Sequence, residues 1–133
     1  LAFRNDEAEI AKRVSGNKQT LWMDGSEVLK FAVRMMTKAT EVALERAGLT
    51  IDDIAMIVPH QANIRIVSGA AKRLGVSMDK MVINIDRLGN IGSGCIPIAL
   101  SEAMGAGTIR PGDKVVLVAM GGGLTWGAAI VEL

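Results

Sequence analysis

Ile54-Ala55-Met56-Ile57-Val58-Pro59-His60-Gln61-Ala62-Asn63 is the stretch on which the fold turns. The five apolar residues Ile54 to Val58 read as a short buried strand, since a strand covered on one side alone would alternate with polar residues. Pro59 stops the run. From Ala62 to Leu74 the period changes to that of a helix, with Ile64, Val67, Ala71 and Leu74 on one side and Gly75 as the stop.

The same switching of period extends in both directions. Upstream, Leu29, Val33, Met36, Thr40, Ala43 or Leu44, and Ala47 recur at helical spacing, with Ser26 as the expected N-cap and Gly48 as the stop. The opposite face of this helix carries a basic stripe, Lys30, Arg34 and Lys38. Residues 1–20 are polar and mixed and read as a connecting segment, with room for a short helix near Glu7 to Val14. Downstream, Met81 to Ile85 reads as a strand, and Gly89-Asn90-Ile91-Gly92-Ser93-Gly94 as a turn. A helix is expected from Ile96 to Met104, with Pro97 tolerated in its first turn. Lys114 to Met120 is a further strand, and Trp126 to Leu133 a last one folding back on it. Strands alternating with helices predict an α/β sandwich around a mostly parallel sheet.

Composition narrows the functional classes. The chain has 133 residues, 50% hydrophobic and 22% charged, which suits one globular domain and excludes a disordered chain, collagen or a coiled-coil rod. Fifteen basic against 14 acidic residues leave a net charge of +1, so nothing in the bulk charge points to nucleic acid. One cysteine and one histidine form neither an intrachain disulfide nor a zinc cluster of the usual kind, and no metal site is expected. The single cysteine suggests a reducing, cytoplasmic setting. No apolar run is long enough to span a bilayer, and no signal peptide is expected. The start at Leu1 suggests a piece of something longer.

Polar and glycine-rich motifs directly follow three of the expected strands: His60-Gln61-Ala62-Asn63, Asp86-Arg87-Leu88-Gly89-Asn90, and Gly121-Gly122-Gly123. Ligands of parallel α/β sheets gather beyond the carboxyl ends of strands, so these segments are expected to meet at one rim. Each residue also has a purely structural reading. His60 fits a helix cap, Asn90 a left-handed turn, and Gly121 to Gly123 a tight hairpin. Cys95 fits a buried helix start, Trp22 and Trp126 fit packing, and the basic stripe fits a solvated face. The triple glycine is no dinucleotide fingerprint, because Gly127 is misplaced for one and no helix follows.

Together these residues resemble the β-ketoacyl-acyl-carrier-protein synthase III family of condensing enzymes. The likeness is carried by Met23-Asp24-Gly25-Ser26-Glu27-Val28-Leu29-Lys30-Phe31-Ala32-Val33, Val58-Pro59-His60-Gln61-Ala62-Asn63-Ile64-Arg65, Asn84-Ile85-Asp86-Arg87-Leu88-Gly89-Asn90 and Gly121-Gly122-Gly123-Leu124-Thr125-Trp126-Gly127-Ala128. The resemblance implies a thiolase-like fold of two similar halves. Residues 21–133 would be the C-terminal half, with a mixed, mostly parallel sheet and helices on both faces.

For function the resemblance implies an acyltransferase that initiates fatty acid synthesis by decarboxylative condensation of acyl-CoA with malonyl-acyl-carrier protein, without a cofactor. His60 and Asn90 match the family's catalytic His and Asn. The catalytic Cys belongs to the absent N-terminal half, so this chain alone is expected to be inactive. Gly122 matches a glycine of an oxyanion hole. Gly25, Leu29, Ala62 and Asn63 would line the pantetheine arm of CoA. Lys30, Arg65, Lys72 and Arg73 would meet the acidic carrier protein. A homodimer is implied for the intact enzyme. Two departures, Ile91-Gly92-Ser93-Gly94-Cys95 after the Asn and Leu29 where an aromatic residue is frequent, leave the starter acyl group open. Three alternatives stand beside this reading: a non-catalytic half that binds carrier protein or CoA, a related synthase with another starter, and a small hydrolase using Cys95 and His60.

Overall fold

The computed structural model describes residues 24–133. The segment expected over 1–20, the short helix near Glu7, and Trp22 and Met23 lie outside the described residues. Helix α1 spans Gly25–Ala47. Its cap is Asp24 rather than the expected Ser26: Asp24 Oδ1 accepts from the backbone N–H groups of Ser26 and Glu27, both at 3.1 Å. A carboxylate outdoes a hydroxyl there because it also meets the positive end of the helix dipole. The buried face holds Phe31, Ala32, Met36, Thr37, Ala39, Thr40 and Leu44, while Ala47 is exposed. The two threonines keep their hydroxyls satisfied on the Val33 and Met36 carbonyls, at 2.8 and 2.9 Å.

Strand β1 is Met56–Pro59. Helix α2 is Ile64–Leu74, with Asn63 as the N-cap whose Oδ1 accepts from Arg65 N–H at 2.9 Å. Ala62 therefore precedes the helix, and Ile64 is 44% exposed instead of facing the core. The buried positions are Ile66, Val67, Ala70 and Ala71, which rotates the apolar face about the helix axis away from Ile64. Gly69 sets the approach of α1 to α2, since a Cβ there would stand 2.8 Å from a methyl of Val33. Helix α3 is the single turn Ile85–Leu88, α4 is Cys95–Gly105, β2 is Lys114–Gly121 and β3 is Thr125–Glu132.

The sheet runs β1-β2-β3. Strands β1 and β2 are parallel, from Met56 opposite Val115 to Pro59 opposite Val118. Strand β3 returns antiparallel, from Gly121 opposite Thr125 to Lys114 opposite Glu132, as expected of a strand folding back. Gly123, at φ +131°, takes the turn between them in a conformation that favours glycine.

The expected strand at Met81 to Ile85 is a correction. Met81 makes one parallel bridge to Ile57, and Ile85 already begins α3. The ladder starts properly, with Val82 N–H donating to the Ile57 carbonyl at 2.9 Å. It stops because the Gln61 side chain takes the next positions. Gln61 Nε2 donates to the carbonyls of Pro59 and Val82, at 2.9 and 3.0 Å, and its Oε1 accepts from Asn84 N–H at 3.3 Å. A carboxamide carries the same donor and acceptor as a peptide unit, so this one side chain replaces the strand partner.

Alternation along the strands splits the core in two. Ile57, Val116 and Val118 face α1 and α2, packing with Met36, Leu44, Ile66 and Val67. Val58 and Val115 face the other way, against Ala99 and Ala103 of α4 with Val82 and Ile109. Helices therefore cover both faces. Helix α4 is apolar nearly all round, with Ile98 and Met104 exposed and Glu102 its one charged residue.

Candidate functional site

The carboxyl ends of β1 and β2 open on one side into a cavity of about 650 Å³. His60, one residue beyond β1, lines it. Gly92, Ser93 and Ile96 form a second wall, and Ala119 to Gly121 with Thr125 to Gly127 form a third. Of the three segments expected at one rim, the first reaches the cavity through His60 and the third through Gly121, while Asp86 to Asn90 does not line it and only the residues just after it, Gly92 and Ser93, do. The backbone of His60 is pinned by its N–H to the Val118 carbonyl at 2.8 Å, so the neighbouring parallel strand fixes where the imidazole starts. The ring is partly buried, and that burial lowers its pKa from the ordinary 6.5. The imidazole is consequently neutral near neutral pH and presents one N–H donor without a charge.

Asn90 sits just before the wall formed by Gly92 and Ser93 and is not itself among the residues lining the cavity. Its Oδ1 accepts from Gly92 N–H at 3.0 Å and from the Cys95 thiol at 3.8 Å. With the oxygen so used, the amide nitrogen is the end left to donate. Cys95 is 1% exposed as the first residue of α4, which matches its structural reading.

Gly122 lies exposed in the β2–β3 turn, next to cavity-lining Gly121. A Cβ at Gly122 would meet nothing within 4 Å and its φ is not positive, so the chain itself does not require glycine there. Trp126 is half exposed and stands edge-on to Phe31, with ring centroids 5.6 Å apart. Ala62 and Asn63 share a separate hollow of about 370 Å³ with Ile83, Ile85 and Asp86. Gly25 and Leu29 lie in the first turns of α1 and do not line that hollow. Lys30 is exposed and paired with Glu27 at 2.8 Å. Arg65, Lys72 and Arg73 are all exposed on α2, the last two in its final turn, where cations also suit the helix dipole.

A group that sequence reasoning left without a role joins the end of β1 to α3 and α4. Gln61 and Asn84 are almost fully buried, and Asn84 Nδ2 donates to Glu102 Oε2 at 3.0 Å. Arg87 donates to both oxygens of Glu102, at 3.2 and 2.9 Å. The Arg87 guanidinium first, and the Asn84 amide second, hold the Glu102 carboxyl below its ordinary range. One signal was available in the sequence: a lone carboxylate in an otherwise apolar helix needs a partner. No group of three or more His, Cys, Asp and Glu suited to a metal occurs among the described residues. No helix among them is long and apolar enough to cross a membrane.

Residues 44–133 match the family model described as the C-terminal part of 3-oxoacyl-[acyl-carrier-protein] synthase III. The β-ketoacyl-[acyl-carrier-protein] synthase III of Desulfitobacterium hafniense is 51% identical over 122 residues, 92% of this chain and 37% of that protein. The synthase III of Symbiobacterium thermophilum is 56% identical over 106 residues, 80% of this chain and 32% of that protein. Among solved structures, the synthase III of Thermus thermophilus superposes with a TM-score of 0.85 at 50% identity, covering 91% of this chain and 38% of that one. The enzyme of Aquifex aeolicus gives 0.82 at 41%, covering 84% and 36%. The chain thus spans about a third of the length of the relatives it matches, within their thiolase-like fold, and it belongs to the β-ketoacyl-[acyl-carrier-protein] synthase III family.

Proposed function

We propose that the protein carrying this chain is an acyltransferase that starts fatty acid synthesis by condensing acyl-CoA with malonyl-acyl-carrier protein, and that this chain supplies its His and Asn. The observation that carries the reading is the cavity at the strand ends, with a neutral His60 on one wall and the loop after Asn90 on another. In the first step an acyl group passes from CoA to a cysteine thiolate, with CoA leaving as its thiolate. In the second, the bond from the malonyl methylene to its carboxylate breaks and carbon dioxide leaves. The electron pair passes into the thioester enolate, whose carbon attacks the acyl-enzyme, and the cysteine thiolate is expelled.

Charge develops on the malonyl thioester oxygen in that second step. Fixed, uncharged donors in a secluded site meet it best, because they strengthen with the charge and do not hold the departing carboxylate in place. The His60 N–H and the Asn90 amide are donors of this kind. Gly122 would lend its backbone N–H to the acyl oxygen, which gives glycine a use there that the fold does not. The cysteine nucleophile would come from the remainder of the longer protein. Cys95 is poorly suited to the role, being buried with its thiol directed to Asn90. Ala62, Asn63, Gly25 and Leu29 are assigned to the pantetheine arm, and Lys30, Arg65, Lys72 and Arg73 to carrier-protein docking, where exposed charge mainly raises the association rate.

The test is a chimaera in which residues 24–133 replace the matching segment of the Desulfitobacterium hafniense protein, assayed for acyl loading and for malonyl decarboxylation. Both half-reactions are expected, and a folded chimaera that performs neither sinks the reading. The depressed pKa of His60 adds a pH signature. The acid limb of decarboxylation should have its midpoint below pH 6.5, where the imidazole takes a proton, with the rate level on the alkaline side. Stability follows the same sign. The unfolded chain protonates this histidine first, so the native state loses stability as pH falls from 6.5 toward the depressed value and loses none above it. A decarboxylation profile with its acid limb above pH 6.5 would contradict the neutral-donor role.

A further inference from the structure

We propose that Gln61, Asn84, Glu102 and Arg87 form one positioning brace that fixes the Asn90 loop relative to His60. The inference rests on the reading above for its catalytic consequence, but its geometry stands independently. Gln61 adjoins His60, is held to the end of β1 by a hydrogen bond to the Pro59 carbonyl, and reaches the segment Val82 to Asn84 through two more. Asn84, held by Gln61 through its backbone, reaches with its side chain to Glu102 on α4. Glu102 then grips Arg87 of α3 through two parallel bonds, the most directional form of ion pair. The Asn90 loop, residues 89–94, is strung between α3 and α4. The Arg87–Glu102 clasp therefore closes its base, two helical turns along α4 from Cys95, whose thiol donates to the Asn90 side chain.

The energetic case separates the two ends. The clasp is exposed on both partners, with side chains 57% and 37% accessible, so its contribution to stability is small. A carboxylate that gathers one buried amide and one bidentate guanidinium contributes little net stability and a definite geometry. Misplacing a reacting group by about 1 Å can cost on the order of 10²-fold in rate, so a brace of this sort acts mainly on the donor it holds.

The experiment uses the chimaera with Glu102→Gln, Arg87→Met and both together. Glu102→Gln keeps an oxygen for the Asn84 amide and removes the charged clasp. Each single variant should slow decarboxylation by about tenfold or more, with acyl loading and melting temperature nearly unchanged, and the double variant should lose no more than the worse single. Amide hydrogen exchange supplies a readout independent of activity: residues 84–94 and 60–62 should exchange faster in Glu102→Gln, and α2 should not. Decarboxylation within twofold of the parent, losses that multiply, or loading that falls in step would overturn the brace. So would unchanged exchange in both segments. If the parent chimaera were inactive, the condensing reading would fail, and exchange alone would decide the brace.

Discussion

His60→Ala in the chimaera is expected to slow malonyl decarboxylation by about 10²–10³ while leaving acyl loading largely intact, the loss typical of removing one preorganised donor from a developing oxyanion. The asymmetry follows from where charge appears. In the proposed reading, loading would consume a thiolate carried outside this chain, whereas decarboxylation would place charge on an oxygen that His60 faces. Asn90→Ala should show the same split, but that variant also deletes the acceptor that holds Gly92 N–H. Asn90→Asp separates the two roles, since it keeps an oxygen for Gly92 and removes the amide donor. Decarboxylation should therefore be lost in Asn90→Asp as fully as in Asn90→Ala. Separate rate measurements on the two half-reactions decide the matter, and equal loss of both in His60→Ala would mean that the assigned role is wrong.

Gln61→Leu should lower the melting temperature of the chimaera by about 6 °C, equivalent to about 3 kcal/mol at the roughly 2 °C per kcal/mol that suits a protein of the chimaera's length. Leucine fills much of the same volume but strands the Pro59 and Val82 carbonyls and the Asn84 N–H, all of which Gln61 serves. Unpaired buried groups of this kind cost about 1–3 kcal/mol each, less whatever water recovers. Gln61→Glu, polar and equally large, should be no better than leucine, because it turns an oxygen toward two carbonyl oxygens. Thermal unfolding of the two variants side by side tests the claim. A shift below about 2 °C for Gln61→Leu would show that the carboxamide is not a strand surrogate.

Much of the architecture was legible because burial repeats with the period of each element. Ile54 to Val58 and Lys114 to Met120 announced strands enclosed on both sides, and α1 announced itself through Met36, Thr40 and Leu44. The failures share a cause, which is a side chain doing a backbone's work. Asp24 displaced Ser26 as a cap, Asn63 moved the start of α2 past Ala62, and Gln61 ended the ladder that Met81 and Val82 begin. Hydrophobic period carries no trace of such bonds. At the site, motif position brought His60 and Gly121 to one cavity, which the Asn90 motif reaches only through Gly92 and Ser93 beyond it. The links from Gln61 through Asn84 to Glu102 were hidden, because they join residues 18 to 23 positions apart and each depends on a side chain.

Cys95 is the single thiol of this chain, and folding shuts it away at the head of α4. A sulfhydryl reagent can reach it only while that helix start has lifted off the sheet. The speed of labelling in this segment therefore keeps time for excursions of the Asn90 loop, with the native thiol serving as the probe and no engineered cysteine required.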